Sequence, residues 1–378
     1  MDDEARPKGG LDPSRTRGPR RSPWGRRHAF GQESHGHQSG GHHNGNAVSD
    51  RSTPTYAALD LGTNNCRLLV ARPTSDSFRV IDAFSRIIRL GEGISSTGRI
   101  SEAAIDRAVG ALTVCRDKIV TRGVTRARLI ATEACRSAEN GDAFVQRVRD
   151  AVGIDLEIID RKTEARLAAT GCTPLVDPAA SSVVLFDIGG GSSEIVNMGS
   201  VNGQAGPPKP IIRDWASLPV GVVTLAEKHG GIEVSRDVFE RMIQEVEGYL
   251  APFAEKNAEL KNSTSLHLLG TSGTVTTVAG IHLGLRRYDR RQVDGCWMTS
   301  GQIDTALEQL LAMRYEDRVA NACIGAERAD LVLAGCAILE AIRRAFPSER
   351  LRVADRGLRE GMLVEMMRDD EVWWRKNA

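Results

Sequence analysis

The sequence predicts an α/β protein in which two related sheets, each flanked by helices, meet at a cleft. Three observations carry this. A glycine loop of one design occurs twice, as Asp60-Leu-Gly-Thr-Asn64 and Asp187-Ile-Gly-Gly-Gly-Ser192, each behind a short apolar run of β type and ahead of another. Strand patterns alternate with helical ones along the chain, the mark of sheets covered by helices. The order β-β-β-α-β-α-β-α is complete by about residue 170 and then restarts with three more strands.

The first half opens with three strands, at 56–61, 66–72 and 78–88, punctuated by turn residues. Ser101 caps a helix whose Ile105, Ala108, Val109, Leu112 and Ile119 share one face. A strand at 128–132, a helix at 142–152, a strand at 156–159 and a helix at 163–170 follow. The second half repeats the opening with strands at 182–186, 193–198 and 211–218 and a helix at 238–253. A strand at 266–269, helices at 273–283, 301–313 and 328–345, a strand at 351–354 and a helix from 359 to 368 complete it. The segmentation expected is a tail at 1–53, a domain at 54–178 and a second at 179–378.

Bulk properties narrow the class. The 378 residues are enough for two domains with cores of their own. Fifty basic residues balance 49 acidic ones, so no global field recruits nucleic acid. Seven cysteines without a CxxC pair suit a reducing cytoplasm. No apolar run approaches the roughly 18 residues of a membrane span, and the acidic start lacks the apolar stretch of a secretory signal. Residues 1–53 are rich in Arg, Gly, Ser, Pro and His and nearly devoid of aliphatics, so they read as a disordered tail. Its histidines 35, 37, 42 and 43 have no fixed geometry for a metal, and its arginines read as solvated.

The loops carry the chemistry. Gly62, Thr63 and Asn64 form one anion cradle, and Gly189, Gly190, Gly191 and Ser192 a second, because glycine lets successive backbone N–H groups approach a ligand. Asp60 and Asp187, at the strand ends, offer hard oxygens for Mg²⁺, which binds through one or two carboxylates, waters and phosphate. Gly270, Thr271, Ser272, Gly273 and Thr274 open a helix whose N-terminal N–H groups are a third anion site. Glu133 lies just past a strand end, where an open α/β sheet delivers residues to its crevice; a solvated glutamate at a helix start is the alternative. Glu164 reads as a second acid of the cleft or as a charge paired with Arg161 or Lys162. Arg89 and Arg136 are either bidentate phosphate ligands or salt-bridge partners. Glu157 faces the cleft or solvent, Glu194 serves water, metal or an arginine, and strand alternation points Arg67 outward. His229, His267 and His282 read as structural.

Ala57-Ala-Leu-Asp-Leu-Gly-Thr-Asn64, Arg89-Leu-Gly-Glu-Gly93, Ala131-Thr-Glu-Ala134, Thr163-Glu-Ala-Arg166 and Phe186-Asp-Ile-Gly-Gly-Gly-Ser-Ser-Glu194 form an ordered series. Leu218-Pro-Val-Gly221, Gly270-Thr-Ser-Gly-Thr274, Arg328-Ala-Asp330 and Gly357-Leu-Arg-Glu-Gly361 extend it. This series resembles the exopolyphosphatase/guanosine pentaphosphate phosphatase family, within the actin-like ATPase superfamily, in its short two-domain form. The resemblance implies two duplicated actin-like (ribonuclease H-like) domains with an interdomain cleft. It also implies a Mg²⁺-dependent hydrolase that releases terminal orthophosphate from inorganic polyphosphate, or from the 5′ end of guanosine pentaphosphate. Glu133 is then the general base, Glu164 a metal- or water-positioning acid, and a homodimer is expected. An actin-like kinase or motor, and a non-catalytic sensor of the same polyanions, are the other classes. Three positions depart from the family pattern. Asn65 and Ser272 replace a serine and a glycine, both conservative on their face, and Lys162 stands where some relatives carry a carboxylate, which bears on the metal count.

Overall fold

The computed structural model describes residues 53–199, 207–263 and 265–373; the tail predicted at 1–53 lies, but for its last residue, outside them. The first half runs β1 (Tyr56–Leu61), β2 (Asn65–Pro73), β3 (Phe78–Ile87), α1 (Ile94–Thr97), α2 (Glu102–Thr121), β4 (Arg126–Ala131), α3 (Glu133–Ser137), α4 (Gly141–Val152), β5 (Glu157–Ile158) and α5 (Arg161–Cys172). The second runs β6 (Ser182–Ile188), β7 (Ser193–Gly199), β8 (Ile212–Leu218), α6 (Val222–His229), α7 (Arg236–Lys256), β9 (Leu266–Thr271), α8 (Gly273–His282), α9 (Arg290–Val293), β10 (Trp297–Thr299), α10 (Ser300–Ala312), α11 (Tyr315–Ala320), α12 (Val332–Ala345), β11 (Arg350–Ala354) and α13 (Leu358–Asp369).

The duplication is exact enough to pair strand with strand. One sheet has the order β3-β2-β1-β4-β5, the other β10-β11-β9-β6-β7-β8. In each, an antiparallel meander (β1–β3, β6–β8) continues from its first strand into parallel neighbours, β4 in one and β9 in the other. Register repeats as well: Asp60 lies opposite Arg67, and Asp187 opposite Glu194.

Strand alternation decides which way the aspartates face. Ala57, Leu59 and Leu61 turn to an outer core with α2 and α4, so Tyr56, Ala58 and Asp60 turn inward. Val184, Phe186 and Ile188 turn to the outer core with α7 and α12, so Val183, Leu185 and Asp187 turn inward. The helices covering these inner faces are exchanged between the halves. Ala165, Ala169 and Cys172 of α5 pack on the second sheet, whereas Met362, Leu363 and Met366 of α13 pack on the first. Residues 357–361 therefore start a helix that belongs to the first sheet's core.

The two exchanged helices cross at glycines. A Cβ on Gly361 would lie 2.0 Å from the Leu167 carbonyl oxygen, and one on Gly171 would lie 1.9 Å from that of Gly357. Both obstacles are backbone, so no side chain can swing aside. Gly361→Ala is expected to lower unfolding free energy by at least about 2 kcal/mol, the scale of core overpacking, read from the urea midpoint. Gly110→Ala, in α2 with nothing within 4 Å of the added carbon, is the control and should be neutral or stabilising by a few tenths to about 1 kcal/mol. Among the described residues no helix is long and apolar enough to cross a membrane, and the seven cysteines are free thiols.

Candidate active site

The two glycine loops are built alike. Gly62 N–H donates to the Asn65 carbonyl at 2.9 Å, and Gly189 N–H donates to that of Ser192 at 3.0 Å, closing the same turn after each aspartate. Each loop is strapped from outside by backbone. Ile88 and Arg89 donate to Asn64 O and Gly91 to Thr63 O, while Val222 and Val223 donate to Gly189 O and Gly190 O. The loops then meet: a Cβ on Gly190 would sit 2.8 Å from Thr63 Cβ, which is why that position carries no side chain.

Between them lies a cavity of about 140 Å³, room for on the order of ten waters and so for a hydrated terminal phosphate. Asp60, Gly62, Thr63 and Asn64 line it from the first half, with Glu133 at the start of α3 and Glu164 on α5. Asp187, Gly189, Gly190, Gly191 and Ser192 line it from the second, with Thr271, Ser272, Gly273 and Thr274 at the head of α8. Three polar atoms here are buried without a partner: Thr63 Oγ1, Asn64 Oδ1 and Ser272 Oγ. Buried polar groups are rarely left so unless a ligand meets them.

The acids of the cavity are electrostatically costly. Burial pushes the Asp187 carboxyl up to about 6, aided by the charge of Asp60 and opposed by Arg67 and Arg359. Burial raises Asp60 as well, against the same two arginines. Glu194 is pushed up to about 7 by burial and then by Asp187, although Ser192 Oγ and Ser217 Oγ both donate to its Oε1 at 2.9 Å. Burial, then the charge of Glu194, holds Glu164 well above its ordinary value, against Arg136. Glu133 is tied differently. Its Oε2 accepts from Arg136 at 2.6 and 3.0 Å and from Arg161 at 3.3 Å, and its Oε1 accepts from Arg161 at 2.8 Å.

Several expected ligands lie elsewhere. The Arg89 guanidinium is spent on Asp330, with two bonds of 2.9 Å that join the halves at the rim, and its own segment buttresses the first loop. Arg136 sits behind the cavity wall, bound to Glu133, to Glu164 at 3.0 Å and to the Ile159 carbonyl at 2.6 Å. Gly270 packs against the Phe186 ring rather than the cavity. Glu157 is exposed and pairs with Arg128 at 3.0 Å. Lys162 is exposed and outside the lining.

Arg67, expected to point outward, lines the cavity, and so do Arg328, Arg356 and Arg359. The Arg67 and Arg359 side chains make no ion pair or hydrogen bond with another described residue. Arg328 and Arg359 belong to segments already conspicuous in the sequence, Arg328-Ala-Asp330 and Gly357–Gly361. Each heads a helix expected from the sequence, at 328–345 and 359–368, where an arginine is ordinarily solvated, and Arg328 in fact lies in the turn ahead of α12.

Ser272 is not a conservative exchange for glycine. Its φ of 89° and ψ of 180° lie where L-residues are strained, at a cost of order 1–3 kcal/mol. Ser272→Gly is expected to raise stability by about 1 kcal/mol after glycine's greater unfolded-state entropy is counted, again from the urea midpoint.

The profile of the Ppx/GppA phosphatase family matches residues 69–370. The chain belongs to this family. Among family members, it is 28% identical over 319 residues to the guanosine-5′-triphosphate,3′-diphosphate pyrophosphatase of Photobacterium profundum, covering 83% of this chain and 60% of that protein. It is 27% identical over 327 residues to exopolyphosphatase 2 of Mycobacterium tuberculosis, covering 82% of this chain and 98% of the relative. Thus the Ppx/GppA chain described here spans about 60% of the length of the pyrophosphatases it matches. The solved Ppx/GppA family member from Aquifex aeolicus superposes with a TM-score of 0.67 at 29% identity, covering 84% of this chain and 98% of that one. An exopolyphosphatase from Cytophaga hutchinsonii superposes with a TM-score of 0.74 at 25% identity, covering 83% and 98%.

Proposed function

We propose that this protein is a Mg²⁺-dependent phosphoanhydride hydrolase that removes terminal orthophosphate from inorganic polyphosphate. The observation that carries the reading is the convergence, on one small cavity, of two anion loops, a helix N-terminus, two unpaired guanidiniums and partnerless buried polar atoms. A terminal phosphoryl group matches that inventory, since each oxygen finds N–H, hydroxyl or guanidinium donors. The donor set also fits Mg²⁺. Among the described residues no cluster of three or more acidic, histidine or cysteine side chains is arranged to hold a metal, but this ion needs only one or two carboxylates. Asp60 and Asp187, half-buried in the cavity wall and both raised by desolvation, are the residues that would hold it. When bound, the cation would neutralise charge on the phosphoryl oxygens.

The remaining work falls to the chain. Glu133, oriented by Arg136 and Arg161, accepts a hydrogen bond from water and then its proton as the oxygen attacks the terminal phosphorus in line. The bridging P–O bond breaks and its electron pair stays with the shortened chain. Arg67 and Arg359 hold the phosphate oxygens, a role for positioning and charge stabilisation that dominates phosphoryl transfer. Glu164 shares Arg136 with Glu133 and sets where that arginine lies. With this reading goes a division into domains at 54–178 and 179–378, each lending one helix to the other's sheet, and a cytoplasmic site of action.

Guanosine pentaphosphate is the second reading. It is favoured by Ile324, Leu331 and Val332, which line the third-loop end of the cavity beside Arg328 and offer an aliphatic shelf for a base. Phosphate release with Mg²⁺, measured in parallel on long polyphosphate and guanosine pentaphosphate, tests both. Faster release from polyphosphate is expected. Faster release from the nucleotide reverses the assignment, and tight binding of either without release makes the protein a sensor.

A further inference from the structure

Beyond the cavity, one segment concentrates positive charge that the fold does not use. Between α8 and β10 the chain reads Leu283-Gly-Leu-Arg-Arg-Tyr-Asp-Arg-Arg-Gln292. Its apolar residues turn inward: Leu285 and Tyr288 pack on the second core, and Val293 just beyond is fully buried. The arginines turn out, with Arg286, Arg287, Arg290 and Arg291 all exposed.

The segment is fastened to the cavity wall. Tyr288 Oη donates to Asp355 Oδ2 at 2.7 Å, while Arg290 donates to the Asp355 carbonyl and, at 3.0 Å, to Glu360. Asp355, Arg356 and Glu360 all line the cavity. The basic segment is thus separated from the cavity by a single layer of residues, at the carboxyl edge of the parallel strands, where α/β sheets receive ligands.

Every nearby acid is committed elsewhere. Asp289 turns its carboxylate onto Arg291 N–H at 2.9 Å and Gln292 at 3.1 Å. Asp294 is paired with Arg356, and Asp355 with Tyr288 and Arg290. Arg286, Arg287 and Arg291 are left with no ion pair and no side-chain hydrogen bond among the described residues. Most cationic groups elsewhere on this surface, such as Arg107, Arg128, Arg343 and Arg344, are paired with carboxylates.

We infer that Arg286, Arg287 and Arg291 form a second, outer subsite that holds the distal phosphates of a linear polyphosphate whose terminus occupies the cavity. This rests on the phosphoanhydride reading of the cavity and adds to it the residues that grip a long chain beyond its terminus. Polyphosphate carries one charge per internal phosphate and no bases, so a row of exposed guanidiniums without a free aromatic platform suits it better than a nucleotide. Tyr288, the aromatic of the segment, has its hydroxyl bound to Asp355.

The test is the Arg286→Ala/Arg287→Ala/Arg291→Ala variant of the full chain, with a triple Lys variant beside it. Equilibrium binding and steady-state phosphate release are measured on tripolyphosphate and on long polyphosphate at several salt concentrations. For the long chain, Kd and KM are expected to rise about tenfold, and the slope of log Kd against log salt to flatten by about 2, as three contacts of this kind would do. Tripolyphosphate, too short to reach the rim, should show the same KM in both proteins, and the Lys variant should recover most of the loss. Equal affinity of wild type and Ala variant for long polyphosphate overturns the subsite whatever the cavity hydrolyses. Competition by single-stranded RNA at equal phosphate concentration also overturns it, in favour of an RNA-binding face. A wild type that binds long chains through these arginines yet hydrolyses only guanosine pentaphosphate keeps the subsite and rejects polyphosphate as the cavity's substrate.

Discussion

Glu133→Gln is expected to lower kcat for phosphate release by about 10²–10⁴-fold, the range for loss of a positioned acid–base group, with KM little moved. The side chain keeps its size, and binding of the terminal phosphate is assigned to the loops, Arg67 and Arg359. What changes is the acceptor. Four guanidinium contacts converge on the two oxygens of Glu133, and a carboxamide offers them one oxygen and one NH₂. Either the water or an arginine then faces a donor. Polyphosphate affinity and the urea midpoint should be measured on the same sample, because a shifted Arg136 would disturb Glu164 as well. Unchanged turnover in the variant would transfer the acceptor role to Glu164.

Asp187→Asn should cut phosphate release by about 10³-fold, the several kcal/mol a cation supplies on a phosphoryl oxygen, and yet raise the melting temperature of the metal-free protein above neutral pH. The two effects have one cause. The folded-state values of Asp187 and Glu194 are raised to about 6 and about 7, so the folded protein holds these protons longer than the unfolded chain does. That contribution to stability is complete below the ordinary carboxylate range and is lost as pH rises through those values. Metal-free wild type should therefore melt progressively lower between about pH 4 and 7. Mg²⁺ should restore more at pH 8 than at pH 5, since it compensates only the ionised form. Asparagine removes one of the two charges, so the variant should show a flatter pH profile and a smaller Mg²⁺ response. A Mg²⁺ response equal to wild type would move the metal away from Asp187.

Much of this architecture is legible in the sequence. The repeat of Asp60 and Asp187 behind apolar runs announced the duplicated hairpins, and β1, β7 and β9 fall within two residues of their expected ends. Short elements were not readable. The three-residue β10 and the helices α3, α6 and α11 owe their existence to tertiary packing, such as the strap that Val222 and Val223 make to the second loop. The placement of the glycine loops and acids in one cavity followed from strand-end logic, whereas the arginines did not. Arg89 looked like a ligand because it heads a glycine-rich turn, but its partner Asp330 is 241 residues away. Arg67 looked like a surface residue because alternation is a rule about faces, and at the end of a sheet the inward face is itself the cavity wall. Ser272 looked harmless because composition carries no dihedral angle.

The exchange of α5 and α13 bears on how the chain is made. Tyr56, Ala58, Leu69 and Ile130 leave the ribosome long before the side chains that cover them, Met362, Leu363 and Met367. A nascent first half would present an uncovered apolar sheet until α13 has been made. Contacts this distant in sequence slow folding, and exposed sheet surface in an incomplete chain invites aggregation. The first sheet's inner face can be covered only once α13 has been made, so a chaperone that shields β1 and β2 during translation would act where the need is greatest.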